Sequence, residues 1–301
     1  MRLLTDEDVG ALLDRRAVIE VMRDAIRRAA LGRLLAPPRR AAELGDHRLV
    51  FTAGGDEEAI GFRAYGRPGM HEEIVGVWDR VSGHLETTIV GQLLGPLRTG
   101  SIGGVAVDVL ARPDARSVVV IGSGKQARAQ LAAVSQVREL TQVFVTSPTA
   151  AHRDAYATWA REELGLDVEP TDDVRAAVEG CDIVLCATKA EGPVIEADWV
   201  TPGTHVTTIG PREVSRSEIP VELAVAADHI ATDAPAQLEA VGQDHFLHGH
   251  EAWRRIEHLG DLIGADDFHR EDDDVTVFLS LGLAGTEVAL ARWFAHHAHA
   301  T

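Results

Sequence analysis

The sequence predicts an α/β protein in which a doubly wound parallel sheet stands beside a smaller α+β domain. Three observations carry that prediction. From Ser117 onward, short apolar runs alternate with helical stretches: SVVVIG, QVFVTS, DIVLCAT, THVTTIG and HIATD each have the composition of a strand buried on both faces. Over residues 48–94 the runs RLVFTA, AIGFRAY, EIVGVWD and LETTIV are punctuated by Gly54-Gly55 and Ser82-Gly83, the pattern of an antiparallel sheet. The first strand of the later series ends in a glycine-rich turn, GSGKQ, that opens a helix.

Taken in order, residues 3–34 have helical periodicity, with Thr5 and Asp8 spaced as a capping box and a second helix from about Arg16. Pro37 and Pro38 end that region, and the alternating strands follow. A helix from about Arg98 to Leu110 leads to Pro113, a boundary. The parallel-sheet domain is expected over 113–281, with a short piece near Val168 and a helix in DDVRAAVEG. After Asp274 a strand precedes an amphipathic helix that should return to the first domain, so that domain is expected to comprise 1–112 and 282–301.

Composition narrows the function classes. At 301 residues the chain can hold two domains, and 45% hydrophobic with 25% charged residues suits a soluble globular protein. A net charge of −18 disfavours nucleic acid and anionic membrane as partners. Cys181 and Cys186 share one apolar segment, which argues against a disulfide framework and for a reducing cytoplasm. The acidic start, MRLLTDEDVG, is not a signal peptide, and no apolar run approaches membrane-spanning length. Of 29 basic residues only Lys125 and Lys189 are lysines, so arginine where lysine is expected carries little information by itself.

The glycine turn has two possible ligands. A triphosphate loop needs glycine where Val119 stands and a hydroxyl where Gln126 stands, and both ends fail. A dinucleotide turn needs small residues at three positions, filled here by Gly122, Gly124 and Ala127, with the helical AQLAAVSQVREL behind them. Gly122, Ser123, Gly124, Lys125, Gln126 and Ala127 are therefore expected to bind a dinucleotide. At the end of the next strand NAD binders place an acid against the ribose 2′-hydroxyl. Ser147 stands there instead, followed by Thr149, His152 and Arg153, which favours NADP(H) over NAD(H).

Several segments together resemble the ornithine cyclodeaminase/mu-crystallin family: PPR at 37–39, GFRAY at 61–65, LRTG at 97–100, GSGKQA at 122–127, DIVLCAT ending at Thr188, THVTTIG ending at Gly210 and VTVFLS ending at Ser280. The resemblance spans about residues 35 to 290. It implies a homodimer, NAD(P) in the second domain, and an amino or imino acid between the domains. Members cyclise ornithine or lysine with loss of ammonia, dehydrogenate amino acids, or reduce ketimines, and mu-crystallin also binds a hormone, so the fold does not choose the reaction. By the same resemblance Arg39 and Arg98 hold the substrate carboxylate, as a guanidinium fork can. Thr99, Thr188, Gly210, Arg216 and Ser280 are placed beside the cofactor.

Two departures stand out. The family's lysine is Arg63 here, and its catalytic aspartate aligns with Arg212. Neither arginine can give and take protons at a working pH. Arg39, Arg63, Arg98 and Arg212 would make a cationic cleft suited to a substrate with two carboxylates, or with a carboxylate plus another anion, unless Arg212 turns out to pair with Glu213 or Glu218. Tyr65, Glu213 and an ordered water are then the candidate proton donors. His245, His248 and His250 have metal-like spacing without a partner ligand and read as a polar loop, while His296, His297 and His299 read as a solvated tail; no metal site is expected. Both cysteines read as inert packing. The expectation is an NADP(H)-dependent oxidoreductase acting on the C–N bond of an α-imino or amino acid. A cyclodeaminase-type lyase that recycles NAD, and a nucleotide-dependent binding protein without catalysis, are the alternatives.

Overall fold

The computed structural model describes residues 1–266 and 268–298, so the expectation for His299 lies outside the described residues. The first half comprises β1 (Arg2–Thr5), α1 (Asp6–Ala11), α2 (Arg15–Ala30), β2 (Arg40–Leu44), β3 (His47–Gly55), β4 (Ala59–Arg67), β5 (Glu73–Asp79), β6 (Leu85–Gly91) and α3 (Leu94–Leu110). Its sheet has the order β1-β6-β5-β4-β3-β2. All neighbours are antiparallel except β1, which joins β6 in parallel.

Two expectations fail here. Residues 3 and 4 are strand, not helix: Leu4 is buried and Leu3 is exposed, the period of two that a strand imposes. The capping box itself forms, with the Thr5 N–H donating to the Asp8 carboxylate at 2.8 Å. The helix expected from about Arg98 begins four residues earlier, at Leu94. Pro96 lies in its first turn, where a missing N–H costs nothing, and the Glu73 carboxylate accepts the Gly95 N–H at 2.6 Å. This helix is buried along most of its length, and a Cβ at Gly100 would strike the Ala129 carbonyl of the helix packed against it.

The second half continues with β7 (Ser117–Ile121), α4 (Lys125–Val134), β8 (Gln142–Thr146), α5 (Ala150–Leu164), β9 (Glu169–Pro170), α6 (Val174–Val178), β10 (Ile183–Cys186), β11 (His205–Thr208), β12 (Arg212–Glu213) and β13 (Arg216–Ser217). It ends with α7 (Val221–Ala226), β14 (His229–Thr232), α8 (Pro235–Val241), β15 (Ile256–His258), α9 (Leu259–Leu262), β16 (Thr276–Leu279) and α10 (Thr286–His297). Eight strands form a sheet of order β15-β14-β16-β11-β10-β7-β8-β9, parallel throughout. The fold is a Rossmann-type α/β fold. Its chain leaves β7 toward β8 and β9, then returns to β10 on the other side of β7. The strand order therefore reverses between β7 and β10, and the crevice beyond their carboxyl ends is where such sheets bind ligands. The short β12–β13 hairpin and β15 add to the expected strands, and α4 stops at Val134, short of Val137.

After β16 the chain crosses back. α10 packs on β4, β5 and β6 and on α2, burying Val288, Leu290, Ala291 and Phe294. That return brings the loop between β16 and α10 against Arg39 and Arg98.

Candidate active site

The glycine turn ends β7. Gly122 has φ +113°, and a Cβ there would strike the Ala187 carbonyl oxygen beyond β10, so glycine is required on both counts. Its N–H donates to the Thr146 carbonyl at 2.8 Å. Gly124 is the N-cap of α4; a Cβ there would meet nothing within 4 Å, and no side chain caps the helix. The first-turn N–H groups of this ten-residue helix thus have no side-chain cap at the switch point, the arrangement that receives a phosphate. The Gln126 side-chain oxygen is buried without a partner, and Lys125 reaches the Gln92 amide. Tyr156 fixes the helix from behind, its hydroxyl donating to the Ala127 carbonyl at 2.9 Å. These residues fit a dinucleotide pyrophosphate. At the end of β8, Ser147 is half-buried and Thr149 exposed. Arg153 folds back to donate to the Ser147 carbonyl at 2.6 Å and stands 3.7 Å from Asp172.

Two buried carboxylates shape the rest of the crevice. Glu218 accepts from Thr188 N–H (2.5 Å) and Oγ1 (2.8 Å), Thr208 Oγ1 (2.7 Å), Ile209 N–H (3.0 Å) and Gly210 N–H (2.6 Å), which ties the end of β10 to the end of β11. Asp233, after β14, accepts the N–H groups of Leu281 (2.8 Å), Gly282 (2.9 Å) and Leu283 (2.8 Å) and so fixes the loop after β16. Ser280 is buried at the start of that loop. Thr99 lies one turn into α3, donating to the Gly95 carbonyl at 2.9 Å. Arg216 is exposed and pairs with Glu213 at 3.3 Å.

Arginines close the site, Arg39 and Arg98 from the first half and Arg212 from the second. Arg98 is buried, with one ion pair to Glu287 at 2.9 Å, while its Nε and Nη1 are buried without partners. Arg39 is held by Gln237 at 2.9 Å (N–H) and 3.2 Å (Nε), and its guanidinium also donates to the Leu281 carbonyl. A Cβ at Gly282 (φ +84°) would lie 2.9 Å from Arg98 Nη1 and 3.4 Å from Arg39 Nη2, so both guanidiniums converge on this glycine. Arg212 is half-buried and donates to the Ser280 carbonyl. It pairs with neither Glu213 nor Glu218, because Arg216 holds the first and hydroxyl and amide donors hold the second.

Arg63 is different. It lies between two buried acids, Glu73 (2.7 Å from Nε) and Glu287 (3.4 Å), with its guanidinium 4.3 Å above the Tyr65 ring. Burial opposes its charge, but Glu287 and Glu73 outweigh burial and raise its pKa. Burial likewise opposes ionisation of Glu287, yet Arg98 and Arg63 keep that carboxyl below the ordinary range. Burial lowers the pKa of Arg98, and Glu287 offsets that only in part. At Arg212 burial and the nearby Arg39 act together in the same direction.

Glu73, Asp233 and Glu287 are absent from the sequence expectations, and Glu218 entered them only as a partner for Arg212. One signal was available, since Glu287 is the only charged residue between Asp274 and Arg292, and a lone charge in an apolar stretch needs a partner. Among the other candidates, His245 is buried, accepts the Leu247 N–H at 3.2 Å, and is pushed down to about 4 by burial and by Arg212. His248 and His250 are exposed. No group of three metal-binding side chains comes together among the described residues. Burial pushes the Cys181 thiol up to about 11 and raises Cys186 as well, as inert packing requires. No helix among the described residues is long and apolar enough to cross a membrane.

Comparison with known proteins bears on this geometry. The Δ1-pyrroline-2-carboxylate reductase of Bacillus thuringiensis is 29% identical over 73% of this chain and 69% of its own. The iminosuccinate reductase of Paracoccus denitrificans is 28% identical over 74% of this chain and 69% of its own. A solved structure of an iminosuccinate reductase from Paracoccus denitrificans, in complex with NAD+, shares the fold with a TM-score of 0.90 and 23% identity, covering 99% of this chain and 96% of that one. The model of the ornithine cyclodeaminase/mu-crystallin family matches residues 1–301. With a glycine turn at the switch point, arginines converging opposite it and a match along its whole length, the chain belongs to the ornithine cyclodeaminase/mu-crystallin family.

Proposed function

We propose that this protein is an NADP(H)-dependent reductase of an α-imino acid, working as a homodimer. The observation that carries the reading is the convergence of Arg39 and Arg98 on Gly282, with two nitrogens of Arg98 buried and unpartnered. A buried guanidinium left half-satisfied is costly, and a substrate carboxylate supplies the missing acceptors. When bound, the nicotinamide supplies a hydride, which adds to the imine carbon while a proton joins the nitrogen. Gly122 to Ala127 would hold the pyrophosphate at the N-terminus of α4, with Thr188, Gly210 and Ser280 along the crevice. Ser147, Thr149 and Arg153 would take the 2′-phosphate. Arg63 and Arg212 remain charged and orient rather than exchange protons; an imine that enters as its iminium ion brings the proton with it. The named activities of two relatives, reduction of pyrroline-2-carboxylate and of iminosuccinate, support the class.

The test is a panel of 2-oxo acids with ammonia or amines, and of cyclic imines, followed by NADPH absorbance. Turnover of at least one imine is expected; tight NADPH binding with no turnover on any would favour a binding protein instead. NADPH should bind at least about tenfold more tightly than NADH, about 1.4 kcal/mol. Arg153→Ala should erase that difference, and equal affinities in the parent would refute the cofactor assignment. The cyclodeaminase alternative is separated by ornithine: with NAD(P) present, no ammonia should be released above background, because two groups that would have to change protonation are arginines.

A further inference from the structure

We propose that the substrate carries a second carboxylate on a short side chain, and that Arg212 is the residue that selects it. The inference rests on the imino-acid reading above and deepens it. Its ground is how the site's cations are partnered. Arg63 has two acids of its own, and Arg98 shares one of them. Arg39 and Arg212 make no ion pair with any carboxylate among the described residues, and each rests on a backbone carbonyl. The acids nearby are otherwise engaged: Asp233 by three backbone N–H groups, Glu218 by five donors. A carbonyl is a weaker partner for a guanidinium than a carboxylate, so both arginines gain when an anion arrives.

The spacing sets the length of that anion. Arg212 is anchored on Ser280 and Arg39 on Leu281, adjacent residues whose α-carbons lie about 3.8 Å apart. Two carboxylates joined through one or two further carbons match a pair of guanidiniums anchored one residue apart. If Arg39 and Arg98 take the α-carboxylate at Gly282, Arg212 is left for the side-chain carboxylate. Arg212 and Arg39 also repel one another, and a dianion between them relieves what a monoanion relieves only in part.

The experiment compares oxaloacetate plus ammonia with pyruvate plus ammonia under NADPH, in the parent, Arg212→Leu and Arg212→Lys. Binding of L-aspartate and L-alanine to the protein with NADP+ is measured in parallel by calorimetry. A charged hydrogen-bonded contact changes such preferences by about 10- to 100-fold. The parent should favour the dicarboxylate in kcat/KM by at least that factor. The ratio should collapse in Arg212→Leu and recover in part in Arg212→Lys, with the aspartate-to-alanine affinity ratio following the same order. A parent ratio near one, or a ratio untouched by Arg212→Leu, overturns the proposal. If no imine is reduced at all, the reductase reading fails, and the affinity ratio still decides whether Arg212 recognises a second carboxylate.

Discussion

Glu287 shows how one residue can govern several others. It is the shared acid of Arg63 and Arg98, and it comes from α10, far along the chain from both. Without it Arg98 would have no ion pair at all among the described residues, and Arg63 would keep only Glu73. Removing one member of a buried ion pair usually destabilises by about 3–5 kcal/mol, because the remaining charge stays desolvated. Glu287→Gln should therefore lower the unfolding free energy by an amount in that range, seen in urea as a lower midpoint with an unchanged slope. A loss below about 1 kcal/mol would mean that water already reaches Arg98. The substitution should also raise KM for the imine more than it lowers kcat, since Arg98 would be displaced from its carboxylate-binding position. At this scale the sequence was half legible. The arginines could be named because their chemistry and the family resemblance pointed to them. Their acids could not, because pairing across more than 200 positions of sequence, as between Arg63 and Glu287, is set by how the chain folds back.

At the scale of elements, legibility followed locality. Strands such as β7, β10 and β11 carry their signal in consecutive apolar residues. By contrast β1, β12, β13 and β15 are two to four residues long and owe their existence to a partner strand supplied by the tertiary fold. The centre of the parallel sheet holds one more element-level feature. His205 of β11 is fully buried, with Nδ1 2.8 Å from Thr276 Oγ1 on β16 and Nε2 2.9 Å from Thr207 Oγ1. Thr276 donates its own hydroxyl proton to the Leu110 carbonyl at 3.0 Å, so its oxygen accepts from Nδ1–H, and Nε2 accepts from Thr207. The ring is held neutral, with its pKa pushed down to about 3 by burial and then by Arg270 and Arg138. The sign follows from linkage. A histidine depressed from 6.5 to about 3 contributes stability that is fully present above pH 6.5 and is lost as pH falls toward 3, because the unfolded chain takes up the proton first. His245, pushed down to about 4, acts in the same sense. Unfolding free energy should fall by up to about 1.4 kcal/mol per pH unit for each such histidine across this window. Chemical unfolding of His205→Gln at several pH values should show a slope shallower by about one proton, and an unchanged slope would show that His205 is not the group responsible.

On the scale of the whole molecule, the first sheet is covered on one face only. α2, α3 and α10 lie on the side of Val50, Val75, Val77 and Ile89. The strand register puts Phe51, Ala64 and Ile74 in one row on the opposite face, with Ala53, Phe62, Gly76 and Thr88 in the next. Phe51, Ile60 and Ile74 are 38%, 48% and 39% exposed, and the Phe62 and Trp78 rings sit 5.8 Å apart beside them. An antiparallel sheet with one solvated face normally alternates apolar and polar residues, whereas this one is apolar on both. On a chain with net charge −18, a contiguous apolar face stands out from an otherwise well-solvated surface. A second copy of the same face is a self-complementary partner, since a two-fold axis brings the two rows of side chains together and shields both. The pairing would leave Arg63 uncovered by the partner, because the register puts it with Val75 on the other face of the sheet. A homodimer is therefore the expected state, and light scattering should return twice the 32.4 kDa chain mass at micromolar concentration. Ile74→Glu places a charge in the middle of the apolar row. It should shift the mass toward one chain while leaving the circular dichroism of the fold in place, and a parent that scatters as a monomer would rule this interface out.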